Sequence, residues 1–292
     1  MNVLSYNRDP QKWIGGDVIQ QEATARALVE LGVEVTLGYG QMDVSRFDLC
    51  HFHHLNFDWN LKPMSDCLDK GVPYVISAIY YPKQYTMTNS QMNYYGSRAK
   101  AVIALSEEEK QEIEENVGLT NVVVIPNGID SHIFYPPEVR EPENYILTVG
   151  RMFDEFKGYD RLAKIKSRLP FKWRHIGQPV NKYVVGSIDE YIPYQTPEQL
   201  RTHYQKARVF VSTSLTERQS LVVMEAVSCG CPTVDTIFNR GRDICKSTLK
   251  VDPNDPEVLY QAIMVASEMP MVTEVMPTWE NVAKTIKQIY EK

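Results

Sequence analysis

Short apolar runs alternate along this chain with stretches whose apolar residues return every third or fourth position, a pattern that predicts β-strands interleaved with α-helices. Residues 1–6 read as a strand, Gly15 and Gly16 break the chain, and Ile19, Ala23, Ala27 and Leu31 recur at a spacing of four, predicting a helix that Gly32 ends. Val33, Val35 and Leu37 alternate as a second strand. Further strands are predicted at 47–51, 74–77, 101–105 and 122–125. Ser106 followed three positions later by Glu109 has the form of a capping box, opening a helix that runs to about Asn116.

Pro136 and Pro137, with the charged stretch that reaches Glu143, read as a connector, because consecutive prolines stiffen the chain and such sequence seldom packs into a core. The alternation then restarts. Strands are predicted at 145–149, 172–176, 209–212 and 233–235, and helices at 160–169 and 220–229. Thr196 and Gln199 form a second capping box with Pro197 at the favoured first helical position, and Asp255-Pro256 and Thr278-Trp279 open two more helices. Strand and helix alternating on both sides of the connector imply an α/β protein with two Rossmann-like domains, each a parallel sheet covered by helices. Ligands of such sheets bind beyond the carboxyl ends of the strands, so the expected site is a cleft between two facing domains.

The chain's 292 residues suit two domains, and with 43% hydrophobic and 23% charged residues it has the composition of a soluble globular protein. It holds no apolar run long enough to cross a bilayer and no signal-peptide pattern at its start. Five cysteines, an odd number with no Cys-x-x-Cys pair, read as reduced thiols of a cytoplasmic protein. A net charge of −6 argues against a general nucleic-acid binder. His51, His53 and His54 suggest a metal cluster at first sight, but alternation along a strand turns His53 away from His54 and nothing completes a ligand set, so no metal is expected.

The chemistry concentrates in two segments. Leu147-Thr148-Val149-Gly150-Arg151, with Lys157-Gly158, sets two cations just beyond an apolar strand. Glu217-Arg218-Gln219-Ser220, with Glu225, sets two carboxylates around a helix start whose unpaired amides attract anions. Together with Pro126-Asn127-Gly128-Ile129-Asp130 before Phe134 and Pro136, Gly15-Gly16 before the first helix, Ala226 and Cys229-Gly230-Cys231-Pro232, these segments resemble, in order and spacing, the family-4 retaining glycosyltransferases of GT-B fold. The stretch 101–106, Val251-Asp252-Pro253 and Trp279-Glu280 extend the resemblance over nearly the whole chain.

The resemblance implies an N-terminal acceptor-side domain at 1–137, a C-terminal donor-side domain at 138–277, and a helix at 278–292 that packs back on the N-terminal domain. It implies that Arg151 and Lys157 hold the diphosphate of a nucleotide-sugar and stabilise the charge that develops on it as the sugar leaves. Glu217 then lies near the transferred sugar and Glu225 accepts bonds from ribose hydroxyls. Gly15 and Gly16 match a loop that approaches diphosphate or acceptor, and the amides of Gln219, Ser220 and Leu221 are expected to add donors at the helix start. No cofactor and no metal are expected, and no Asp-x-Asp signature is present. The partners implied are a nucleotide-sugar donor and a hydroxyl acceptor of saccharide, lipid-linked or small-molecule type, with peripheral membrane contact left open. Many relatives continue the first glutamate as Gly-Phe-Gly, where this chain has Arg218-Gln219-Ser220. The alternatives are a nucleotide-sugar epimerase or phosphorylase of the same fold, and a non-catalytic nucleotide-sugar or carbohydrate binder. For Gly15-Gly16 a turn needing positive backbone dihedrals is an equal alternative to a ligand loop.

Overall fold

The first six strands form one parallel sheet in a computed structural model that describes residues 1–9, 11, 15–151, 155–178 and 182–292. Along the chain lie β1 (Asn2–Tyr6), α1 (Gly16–Glu30), β2 (Glu34–Gly38), β3 (Leu49–His53), α2 (Leu61–Lys70), β4 (Tyr74–Ser77), α3 (Asn89–Gly96), β5 (Val102–Ala104), α4 (Glu107–Val117) and β6 (Val122–Val124). The strand order is β2-β1-β3-β4-β5-β6, so the direction of winding reverses between β1 and β3. Every neighbouring pair is parallel, and Val3, Leu49, Val75 and Ile103 on one face and Leu4, Cys50, Ile76 and Val102 on the other are all buried. That two-sided burial is why the strands read as continuous apolar runs.

A second parallel sheet follows, from β7 (Tyr145–Val149), α5 (Tyr159–Ile165), β8 (Lys172–Ile176), α6 (Lys182–Val185), β9 (Glu190–Ile192), α7 (Pro197–Lys206), β10 (Val209–Val211), α8 (Leu221–Ser228), β11 (Thr233–Thr236), β12 (Leu249–Val251) and α9 (Pro256–Ser267). Its order is β12-β11-β10-β7-β8-β9, with the reversal between β7 and β10. Ile129 and Phe134 are buried in its core with Tyr145, Leu147 and Phe210. The chain accordingly divides into two compact units, Met1–Gly128 with Pro277–Lys292, and Ile129–Met276.

The helix α10 (Trp279–Glu291) belongs to the first unit. Its Val282, Ala283, Ile286 and Tyr290 share a core with Val3, Leu28, Leu49, Val75 and Ile103. Gly128 makes its approach possible, because a Cβ there would lie 2.4 Å from the backbone nitrogen of Trp279.

Three local expectations change. In α1 the buried residues are Val18, Gln20, Gln21, Thr24, Ala25, Ala27 and Leu28, while Ile19 is exposed, so the inward face is offset from the predicted stripe and partly polar. Gln21 earns its interior place by donating to the carbonyl of Ser5 at 2.8 Å. Thr196 and Gln199 make a complete capping box, whereas at α4 only half of one forms: Ser106 accepts from the Glu109 amide, but the buried Glu109 carboxylate accepts from the amides of Tyr80 and Leu105 at 2.5 and 2.6 Å. Gly15 is extended at φ −145°, so positive dihedrals are not its reason. A Cβ there would meet Asp17 Oδ1 at 2.6 Å and Arg8 Nη2 at 2.7 Å.

Candidate active site

Loops leaving the carboxyl ends of β7 and β10 meet where the second sheet reverses its winding, the position at which open α/β sheets bind ligands. Gly150, at φ +140°, turns the chain out of β7 and Arg151 follows, half-buried. A single 3-10 turn, Glu155–Lys157, leads to Gly158 at φ +62°, where a Cβ would stand 2.1 Å from the carbonyl oxygen of Thr213. That approach lets the two loops join: Thr213 Oγ1 donates to the carbonyl of Lys157 at 2.9 Å, and the amide of Leu215 donates to the carbonyl of Phe156 at 2.6 Å.

The join delivers Lys157 to Glu217. Lys157 Nζ donates to Glu217 Oε1 at 2.5 Å, and Ser214 Oγ donates to the same oxygen at 3.0 Å. Their side chains keep 24% and 12% of their surface, so the pair is sheltered yet reachable. Val149, Tyr159, Phe210, Ser212, Thr213 and Val222 line the small cavity behind Lys157.

A further segment steadies Glu217 from behind. Its amide donates to the carbonyl of Phe238 at 3.2 Å, its carbonyl accepts from the amide of Arg240 at 3.0 Å, and Asn239 Nδ2 donates to Asp235 Oδ2 at 2.8 Å. Burial pushes the Asp235 carboxyl up to about 6, with Asn239 pulling it the other way.

Ser220 is the N-cap of α8 and its side chain makes no capping bond; Gln219 and Ser220 are buried, and Leu221 opens the helix half-exposed. The first amides of α8 therefore lack intrahelical acceptors. Glu225, one turn on, keeps partial exposure while Tyr204 donates to its Oε2 at 2.9 Å, and burial pushes its carboxyl up to about 7.

Gly15 and Gly16 lie in the first unit, as the N-cap and first residue of α1, with Asp17 in its first turn. Asp17 accepts from Arg8 at 2.5 Å and pairs with His54 Nε2 at 3.2 Å. Burial would raise its carboxyl, but His54 and Arg8 outweigh that and hold it well below the usual range. His51 and His53 stack at 4.9 Å, His51 bonding to Tyr290 and Ser77 and His53 to Ser5. Among the described residues no group of three or more His, Cys, Asp or Glu side chains is set to hold a metal ion.

Of the residues singled out from sequence, the structure joins Lys157 directly to Glu217, sets Arg151 at the end of the strand preceding Lys157, and gives Glu225 a different partner, Tyr204. Sequence reasoning missed Ser214, Asn239, Asp235 and Tyr204. The polar run Ser212-Thr213-Ser214 directly after an apolar strand was the one signal available for the first of these.

Two parallel sheets of this order, one after the other along the chain, have the architecture of the GT-B fold. Sucrose-phosphate synthase from Thermosynechococcus elongatus superposes with a TM-score of 0.79 at 15% identity over 99% of this chain and 98% of that one. HepE of Anabaena in complex with UDP gives a TM-score of 0.71 at 15% identity over 100% and 98%. Residues 39–132 match the family model described as Glycosyltransferase Family 4, and residues 143–268 match that of Glycosyl transferases group 1. The chain belongs to the family-4 glycosyltransferases. Among curated proteins it is 24% identical to one component of the human phosphatidylinositol N-acetylglucosaminyltransferase over 200 residues, 59% of this chain and 41% of that protein. The Arabidopsis thaliana counterpart is 24% identical over 220 residues, 65% and 48% of the respective chains. The chain thus spans less than half the length of either. Among the described residues no helix is long and apolar enough to cross a membrane.

Proposed function

We propose that this chain is a retaining, metal-independent transferase that moves a sugar from a nucleotide diphosphate-sugar to a hydroxyl acceptor. The observation that carries the reading is the Lys157–Glu217 pair, a cation and an acid held in contact at the sheet's reversal point, with Arg151 on the same loop and a helix start alongside. The leaving group is a nucleoside diphosphate, so fixed positive charge at its phosphate oxygens lowers the barrier most where water is scarce. Arg151 and Lys157 supply that charge, the amides of Gln219, Ser220 and Leu221 add donors, and Glu217 receives the sugar's hydroxyls. Glu225 accepts from the ribose. The departing phosphate takes the acceptor's proton, so no separate base, metal or cofactor is assigned.

HepE, a structural neighbour, has been crystallised with UDP and with UDP-glucose, which supports a uridine diphosphate-sugar as the first donor to try. The acceptor is a hydroxyl compound bound by the first unit. All five cysteines are free and buried, in keeping with a reducing cytoplasm. A thermal-shift screen with UDP, GDP, ADP and their sugars identifies the donor, because a ligand of the folded state raises its stability by mass action. With that donor, Arg151→Ala is expected to lower turnover by about 100-fold or more, the scale of losing one charged stabiliser of the leaving group, while its melting temperature holds and EDTA leaves the wild type unaffected. Transfer at the wild-type rate in Arg151→Ala refutes the assignment.

A further inference from the structure

We infer that Tyr204 is a positioning residue for the donor site: its hydroxyl fixes one oxygen of the Glu225 carboxylate and turns the other toward the ribose hydroxyls of a bound nucleoside diphosphate. The inference rests on the reading of Glu225 given above and goes beyond it by assigning a role to a residue on another helix. Tyr204 lies on α7 and is wholly buried. Its ring meets Phe210 edge-on at 5.5 Å and Phe134 at 6.3 Å, which leaves it no room to swing away. The hydroxyl donates to Glu225 Oε2 at 2.9 Å, while among the described residues Oε1 accepts no bond and Glu225 keeps partial exposure. A carboxylate sheltered on one side and open on the other needs such a donor to hold its plane, because a buried oxygen without a partner is costly.

The same bond governs ionisation. Burial pushes Glu225 up to about 7, and the Tyr204 hydroxyl pulls it back down by stabilising the charged form. The other titratable groups facing this spot are the thiols of Cys229, which caps the end of α8, and Cys231 beyond it. Burial pushes both thiols up, Cys231 to about 11, so both stay neutral between pH 6 and 9. Arg201, one turn before Tyr204 on α7, is directed elsewhere, donating to Tyr135 Oη at 2.9 Å. Over that range the charge at the site is therefore set by Glu225, and Tyr204 sets how much of it is present. A protonated carboxyl has a proton of its own on one oxygen and is a poorer acceptor for two ribose hydroxyls.

The test is calorimetric binding of UDP to the full chain from pH 6 to pH 9, for the wild type, Tyr204→Phe and Glu225→Gln. Wild-type affinity is expected to rise through about pH 7. Tyr204→Phe keeps the ring packing but is expected to bind about 10-fold more weakly at pH 7, the scale of one hydrogen bond to a charged group, and to regain most of the loss by pH 9. A packing defect weakens binding equally at every pH, so a constant loss across the range overturns the inference. So does wild-type affinity in Tyr204→Phe while Glu225→Gln is weakened. Wild-type affinity in Glu225→Gln, or no binding of UDP, GDP or ADP, overturns the donor reading and this inference with it.

Discussion

Gly158 sits where the two loops of the site press together, and its replacement isolates what that contact does. Alanine there has to adopt φ +62° with its Cβ 2.1 Å from the Thr213 carbonyl, a position from which backbone must move. Gly158→Ala is expected to lower stability by roughly 2 kcal/mol or more, and to cut turnover further than the stability loss explains, because Lys157 is displaced from Glu217. Chemical denaturation paired with donor turnover checks both parts. At this scale the sequence revealed residues that belong to compact motifs: Lys157 next to a glycine, and Glu217 eight positions before Glu225. Ser214 was hidden because its bond to Glu217, three residues on, belongs to no motif, and Asn239 and Tyr204 because their partners Glu217 and Glu225 lie on different segments; no local spacing encodes that the turn after β11 backs the Glu217 peptide.

Elements were legible where apolar periodicity and end signals agreed. Strand 145–149 coincides with β7, and the Thr196 capping box with its proline marks the start of α7. The helices α2 and α3 and the short strand β9 were not anticipated, since α3, Asn89–Gly96, is polar and short and β9 is three half-exposed or exposed residues at a sheet edge. The offset face of α1 has a different cause: buried Gln20, Gln21 and Thr24 are polar, so apolar counting placed the interior stripe one position away. Glu109 shows the same effect of tertiary context on a local motif. Its carboxylate accepts from two amides, of Tyr80 and Leu105, and Tyr80 directly follows Ile79 at φ +40°. Glu109→Gln sets an amide donor against a backbone donor in a fully buried spot, and is expected to cost about 2–4 kcal/mol, visible as a lowered denaturation midpoint. A change below about 0.5 kcal/mol shows that water or a backbone shift replaces the carboxylate.

On the scale of the whole molecule, the two units are expected to answer acid differently. In the first, burial pushes His51 down to about 4 and His53 well below its ordinary value, and Asp17 is also held low. A histidine neutral in the fold but protonated when unfolded stabilises above its unfolded value, and that stability is lost as pH falls through about 6.5 toward 4. For His51 alone the loss amounts to roughly 3 kcal/mol at 1.36 kcal/mol per unit. In the second unit His175 is likewise pushed down to about 4, but Glu225 and Asp235 are raised to about 7 and about 6 and work in the opposite sense over the same range, offsetting part of the loss. Hydrogen exchange read by mass spectrometry at pH 7 and pH 5 is expected to show peptides of β3 and β4 losing protection before those of β10 and β11. Equal loss in both units contradicts the account. The two-sheet α/β architecture was legible in the sequence, since a restart of the alternation past Pro136 signals a second sheet. Strand order was not, because parallel strands join through crossovers whose sequence does not record which neighbour they reach.

The return of α10 to the first sheet bears on how a cell makes this protein. Val282, Ala283, Ile286 and Tyr290 complete a hydrophobic layer begun by Val3 and Leu28, so residues 129–276 are translated before that layer closes. While the ribosome threads out residues 129–276, the nascent first unit waits with an oily face uncovered and the His51 ring without its tyrosine. The second unit, contiguous in sequence, is free to finish before the first.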